Sequence, residues 1–364
     1  MMLVCTVTTV DRDPERSLTF NHMSVDDFRS VSPSRWTACL RRCRAARFSC
    51  SAAAWPRPLT ALAALAVVAS SAALAAESPV PRSSNCPSTS FDPPALFQPK
   101  DPRQFGAKCD GVTDDSAAFQ KAVNAGDVKI AAGTCLINKP VTVRASHRHI
   151  RCAPGTILKR TVSDAESMFV YEAGAGALIG DSIVNCSFVG ANSVPPLVDF
   201  DAPGHWDIPV LTRDNVSNFL LAGNTFRQFF GQAMFQTTGA NGGSGDRVIF
   251  NTFRSCPLYG PAFVGHMHGY VAYNELVDCT AGVENDHPTD KTGGNIFECN
   301  RVTASESAGA ITGGVYGGTS NYSGNIVRYN VVLGEKTSIL VKPREGGRSA
   351  QYYGNSCTKG CRVE

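Results

Sequence analysis

The sequence predicts an all-β protein, a parallel β-helix (a solenoid) of about eight or nine rungs. Three observations carry that expectation. Six segments align on an asparagine: LLAGNTF at Asn224, VIFNTF at Asn251, VAYNEL at Asn274, FECNRV at Asn300, VRYNVV at Asn330 and YYGNSC at Asn355, spaced 27, 23, 26, 30 and 25 residues apart. Apolar residues stand three before each asparagine (Leu221, Val248, Val271, Phe297, Val327, Tyr352) and mostly two after it (Phe226, Phe253, Leu276, Val302, Val332, Cys357), whereas the position two before is mixed. Alternation of period two on both sides of a fixed polar corner means two short strands meeting at a bend. Finally, a third run accompanies each pair: AMF at 233–235, AFV at 262–264, GVE at 282–284, GAI at 309–311 and SILV at 338–341. Three strands per unit of this length describe a coil. The competing repeat folds fail, because there is no LxxLxL core and no four-strand blade period.

The elements follow in chain order. Residues 1–76 read as an N-terminal extension ending in a secretory signal peptide. Basic residues from Arg41 to Arg57 precede the apolar run PLTALAALAVVASSAALAAES, with small residues at Ala73 and Ala75, and cleavage is expected after Ala75 or Ala76. The run is too short and too rich in Ala and Ser for a stable membrane span once cleaved. A secreted or periplasmic product is therefore expected. The leader carries the charge: of the 34 Lys and Arg and 31 Asp and Glu, the segment after residue 76 keeps 25 basic against 26 acidic. That balance gives no reason to expect a nucleic-acid partner.

Residues 77–100 are rich in Pro and Ser and read as a linker or arm. The β-helix domain then spans 101–364, with a cap over 101–126 and rungs over 127–364. In FGAKCDGVTDDSAAF (105–119), Asp110-Gly111 is turn chemistry, Thr113 or Asp114 is placed to cap a helix, and Asp115 suits its positive end. Ala118, Phe119, Ala122 and Val123 recur at helical spacing and Gly126 stops the helix. A lone amphipathic helix before a coil covers the apolar end of the first rung. VKIAAGTCLINKPVTV supplies the first strands.

At an inward corner, each repeat asparagine can bond the amide of the next rung and freed backbone groups, forming a ladder. Ten of the fourteen cysteines follow residue 76, an even number compatible with disulfides in an exported chain. Cys256 and Cys279 each fall five residues after their asparagine, so they stack one rung apart, about 4.8 Å. That pair is either a disulfide or two buried thiols. Cys357 and Cys361 are placed to staple the C-terminal end.

The stretch FGAKCDGVTDDSAAFQKAV followed by IAAGTCLI resembles the N-terminal lead-in of the pectate-lyase-like superfamily, in its rhamnogalacturonase/epimerase-like branch. The resemblance spans about residues 101–143 and implies a right-handed parallel β-helix with a polysaccharide as its partner. It does not select a reaction, since that scaffold hosts lyases, hydrolases, epimerases and inert stalks. The polygalacturonase-type NxD, paired Asp, GHG and RIK elements are absent, as are the WIDH and RxPxxR elements of well-known pectate lyases.

In such coils a polymer lies along one sheet, so candidate residues are polar positions on the third run and the loops beside it. These are Asp199, Asp201 and Trp206, then Gln236, then His266 and His268, then Glu284, Asp286 and His287, and finally Lys342 and Arg344. Two chemistries compete. In β-elimination, Lys342, Arg344 or His266 serves as base or clamp, while Glu284, Asp286 and Asp199 are oxygen donors for a candidate Ca²⁺. In hydrolysis, Glu284 with Asp286, or with Asp199 or Asp201, acts as the carboxylate pair. Both histidines flank a glycine-rich bend and are equally read as turn residues. A carbohydrate-binding or surface-attachment module without catalysis is the reading from a different class.

Overall fold

The computed structural model describes residues 82–162, 166–191, 207–236, 243–256, 259–279, 282–286, 293–303, 314–317, 324–333, 340–341, 351–358 and 362–363. They form a parallel β-helix with three long sheets of nine, ten and nine strands. Parallel crossover connections of this kind turn in the right-handed sense.

Each rung runs through the first, second and third sheet in turn. One rung is Leu220–Ala222, Thr225–Arg227 and Gly231–Gln236; the next is Arg247–Ile249, Thr252–Cys256 and Tyr259–Val264. Nine first-sheet strands give nine rungs, at the upper bound of the expectation. The third strand of one rung lies at Gly314–Gly317, later than the expected 309–311, which falls outside the described residues.

The asparagine ladder forms as the spacing predicts. Asn224, Asn251, Asn274, Asn300 and Asn330 are buried. In each, the amide Nδ2 donates to the next rung's Oδ1 at 3.0 Å. The same Nδ2 also donates to a carbonyl of the preceding rung, such as Asn274 to Val248 O at 2.8 Å. The residue before each asparagine makes the bend in the left-handed region: Gly223 at φ 66°, Phe250 at 56°, Tyr273 at 58°, Cys299 at 57°, Tyr329 at 57° and Gly354 at 65°. A non-glycine residue held there costs on the order of 1 kcal/mol, which the ladder bonds offset.

Inside the coil, apolar residues stack rung on rung. Phe188, Phe226 and Phe253 are parallel at 4.8 and 5.0 Å, and Phe235 meets Phe263 edge-on at 5.1 Å. The capping helix spans Ser116–Ala125 and buries Ala118, Phe119, Ala122 and Val123, with Phe119 edge-on to Phe169 at 6.4 Å.

Asp110 accepts from the Val112 and Thr113 amides at 2.9 and 2.7 Å. Backbone bonds from Thr113 and Val112 hold its carboxyl down at about 2. Asp114 takes the helix-start amide of Ser116 at 3.0 Å. Asp115 occupies the N-cap position without a side-chain cap bond. It instead ties the lead-in to the first rung, accepting from Lys108, Cys109 and Leu136 amides at 2.7, 3.1 and 3.2 Å. The acidic cluster is thus structural.

The arm doubles back as a strap along the corner of the first sheet. A disulfide joins Cys86 to Cys299, 213 positions apart. Arg82 donates to the carbonyls of Cys299 and Tyr273, both at 2.6 Å. Phe91 stacks on Phe250 at 5.6 Å, and Phe250 on Tyr273 at 5.1 Å. Further along, Phe97 N–H donates to Asp127 and Lys100 bridges to Val128. Three more disulfides, Cys109–Cys135, Cys152–Cys186 and Cys256–Cys279, join neighbouring rungs. For the last pair the disulfide alternative is the one observed. Cys357 is also disulfide-bonded, and Cys361 lies outside the described residues. Among the described residues no helix is long and apolar enough to cross a membrane.

Candidate functional site

The third sheet is where the sequence places the chemistry, and its lower rungs are closed. Ser167–Tyr171 and Ile208–Thr212 are buried at every position. Val170, Ile208 and Leu211 make a separate apolar cluster there. Higher up, Tyr259–Val264 is also buried at every position but Val264, and the candidate positions fall on Gly231–Gln236, Tyr259–Val264 and Gly282–Asp286. In that region Gln236, Val264 and Asp286 share one register column. Ala262, Glu284, Tyr316 and Leu340 share another. Glu284 and Asp286 alternate along the strand with the buried Val283 and Asn285.

His266 is a correction. The sequence reads it as an outward site residue or a surface turn residue, yet its side chain is 1 % exposed and packs inside the coil, 4.5 Å from the Phe263 ring. The reason is local: the strand ends at Val264, and Gly265 at φ 68° turns the chain so that the imidazole faces inward. There Nε2 stands 3.7 Å from Asp246 Oδ2. Burial, and then His268, lower His266 to about 3. Burial also pushes the Asp246 carboxyl well up against the Phe219 amide bond, helped by Asp181. Burial disfavours the charged form of both groups. His266 is out of reach of any substrate on the outer face. His268 is exposed with φ 53°, a turn residue whose amide donates to Gly293 O at 3.0 Å. Asp199, Asp201, Trp206, His287, Lys342 and Arg344 lie outside the described residues.

One polar set escaped the sequence reading. Asp181, Asp246, Asn295 and Asn325 are buried at the corner that leads into the first sheet. Asp246 accepts from Phe219 N and Asn295 from Gly269 N, each at 2.7 Å, and Asn325 from Asn295 N at 2.9 Å. A signal existed: three of them sit five residues before a ladder asparagine, at 246, 295 and 325. Burial raises Asp181 to about 7 against the bond from Arg148 N–H.

A second exposed-side cluster lies on the outer first sheet. Tyr270 and Arg328 both donate to Glu298, and Arg328 Nη1 reaches Tyr353 Oη at 3.0 Å. With every group satisfied it reads as surface packing. For metals, the one His/Cys/Asp/Glu grouping at ligand spacing among the described residues is Cys109, Asp115 and Cys135. Its thiols are consumed in a disulfide and its carboxylate by backbone amides, so it does not fit an ion.

No family model matches the sequence, and no curated protein matches it. Among solved structures the chain is similar to a tailspike of Acinetobacter baumannii phage AM24 (16% identity, TM-score 0.47), covering 74% of this chain and 47% of that one. An alginate lyase from Paenibacillus sp. FPU-7 is similar over 68% of this chain and 95% of that one (10%, 0.47). A hyperthermoactive exopolygalacturonase from Thermotoga maritima is similar over 73% and 77% (11%, 0.45). The chain thus spans about half the length of the tailspike. Likenesses this distant say nothing of reaction or substrate, and the parallel β-helix stands on its own strand pairing.

Proposed function

We propose that the protein is an exported polysaccharide-acting enzyme that cleaves an acidic glycan by β-elimination on the upper rungs of the third sheet. The observation that carries the reading is the register of Gly282–Asp286. Glu284 and Asp286 stand two residues apart at positions alternating with buried Val283 and Asn285, and Asp286 continues the column that holds Gln236 two rungs away. Rungs about 4.8 Å apart offer one contact per sugar to an extended polymer.

In this reading a base removes the proton beside the uronate carboxylate, and the glycosidic oxygen departs as the double bond forms. A cation must neutralise the charge that develops on the carboxylate. With His266 buried, base and clamp fall to Lys342 and Arg344, and Glu284 and Asp286 supply the carboxylate oxygens that suit Ca²⁺. Export accords with the signal-like leader and with disulfides between rungs.

Hydrolysis is the second reading, favoured by the same pair. Residues two apart on a strand are separated by about 6.6 Å at Cα, near the carboxylate separation of an inverting glycosidase. Incubation with polygalacturonate, alginate and neutral glycans, with Ca²⁺ or a chelator, separates the outcomes. Ultraviolet-absorbing unsaturated ends mean elimination. Reducing ends without that absorbance mean hydrolysis. Binding with neither product would leave a non-catalytic module and overturn the proposal.

A further inference from the structure

The outer face of the second sheet is exposed at Arg227 and Arg254, with Lys159 half-buried and Val189 buried in the same column, and the charged residues of that column are all cations. Lys159, Val189, Arg227 and Arg254 are consecutive partners across four rungs. Arg227 and Arg254 are exposed and directly opposite one another, one rung apart at about 4.8 Å, while Lys159 lies two rungs below Arg227. Among the described residues no carboxylate pairs with any of the three. The nearby Glu275 is taken by Arg301 at 3.8 Å. Like charges facing each other in a ladder destabilise it, so folding alone gives no reason for this column. Hydroxyls flank it: Ser187, Thr225 and Thr252 occupy the neighbouring outer column of the same strands and are half-buried.

We propose that this column is a docking surface for a linear polyanionic glycan running parallel to the coil axis. The rung repeat is comparable to the rise of one pyranose along an extended chain, so carboxylates on two successive sugars would meet Arg227 and Arg254, with Lys159 two rungs further along. The hydroxyl column beside them would accept or donate to ring hydroxyls. Guanidinium groups suit carboxylates through paired N–H bonds. The surface is distinct from the third sheet and would hold the polymer rather than cut it; only the glycan class rests on the proposed function.

Native gels cast with polygalacturonate, alginate, dextran or duplex DNA test this without any turnover. The wild-type chain is expected to be retarded by both polyuronates and not by dextran, with retardation fading as salt rises. Arg227→Gln with Arg254→Gln is expected to raise the apparent Kd for polyuronate about tenfold and to flatten its salt dependence. Arg227→Lys with Arg254→Lys, which keeps the charge, restores most of the binding. Because both side chains are exposed, thermal melting of the glutamine variant should match or exceed wild type. Equal retardation of the glutamine variant, no retardation of the wild type, or tighter binding to DNA than to polyuronate would each overturn the proposal. An inactive protein that still docks through this column would refute the enzyme reading alone.

Discussion

Asn274→Ala removes one rung of the polar ladder, and the structure says what is lost. The Asn274 side chain is 0 % exposed. Its Oδ1 accepts from Asn251 N–H at 2.9 Å and from Asn251 Nδ2 at 3.0 Å, and its Nδ2 donates to Val248 O at 2.8 Å and to Asn300 Oδ1 at 3.0 Å. Alanine leaves the Asn251 amide hydrogen with no partner in a dry corner. Asn251 Nδ2 keeps its bond to Leu221 O at 2.9 Å, so that group loses only half its satisfaction. Each buried orphan costs about 1–3 kcal/mol. One full orphan, three groups that each lose one bond (Asn251 Nδ2, Val248 O and Asn300 Oδ1) and a small void together come to about 4 kcal/mol. Asn355, half-buried in the last rung, has no described rung beyond it. Its loss should cost about 1–2 kcal/mol, since water replaces part of what is removed. The assay is urea unfolding of both variants followed by far-ultraviolet circular dichroism and by fluorescence. Coincidence of the two probes is required, because solenoids can unfold in parts. If Asn274→Ala costs less than about 1 kcal/mol, or no more than Asn355→Ala, the ladder is not what satisfies the corner, and the reasoning fails.

Further expectations concern the buried acid, the strap and the site. Asp181 is raised to about 7 in the folded chain against about 3.9 unfolded. The folded state therefore holds the extra proton, and this carboxyl's contribution declines as pH rises from about 4 to 7, then levels. Asp181→Asn should lose that slope, with a difference between variant and wild type approaching about 4 kcal/mol across the window in urea titrations at several pH values. A wild-type-like slope in the variant would place the proton elsewhere. His266, lowered to about 3, acts oppositely, its neutral form favouring folding above about 6.5 and the loss growing as pH falls. Cys86→Ser should free the strap from Cys299, lowering stability by about 2–4 kcal/mol and exposing the arm to limited proteolysis while the coil's circular dichroism is kept. An arm that stays protected would show that Arg82 and Phe91 suffice. Glu284→Ala and Lys342→Ala should each reduce polysaccharide cleavage at least about a hundredfold, and wild-type rates in both would remove the site from the third sheet.

The candidate site divides along the same line as the described backbone. The period of two in GVEND gives Glu284 and Asp286 the same place in the alternation, because alternation is a property of any strand. It was not enough for His266. One residue past the strand end, the left-handed Gly265 decides direction, and the repeat pattern carries no such angle. The closed lower rungs of the third sheet were also invisible, since Val170, Ile208 and Leu211 look like ordinary strand residues until their exposure is known.

By itself the sequence determined the coil, the capping helix, the asparagine ladder and the stacking of Cys256 on Cys279, because each depends on a repeat whose register is set by counting. Only the tertiary structure decided that the arm returns to Cys299, that His266 and Asp246 meet inside the coil, and that Arg227 faces Arg254 on the second sheet. Those outcomes depend on contacts between distant segments and on the angle of single corner residues. Local alternation is blind to both.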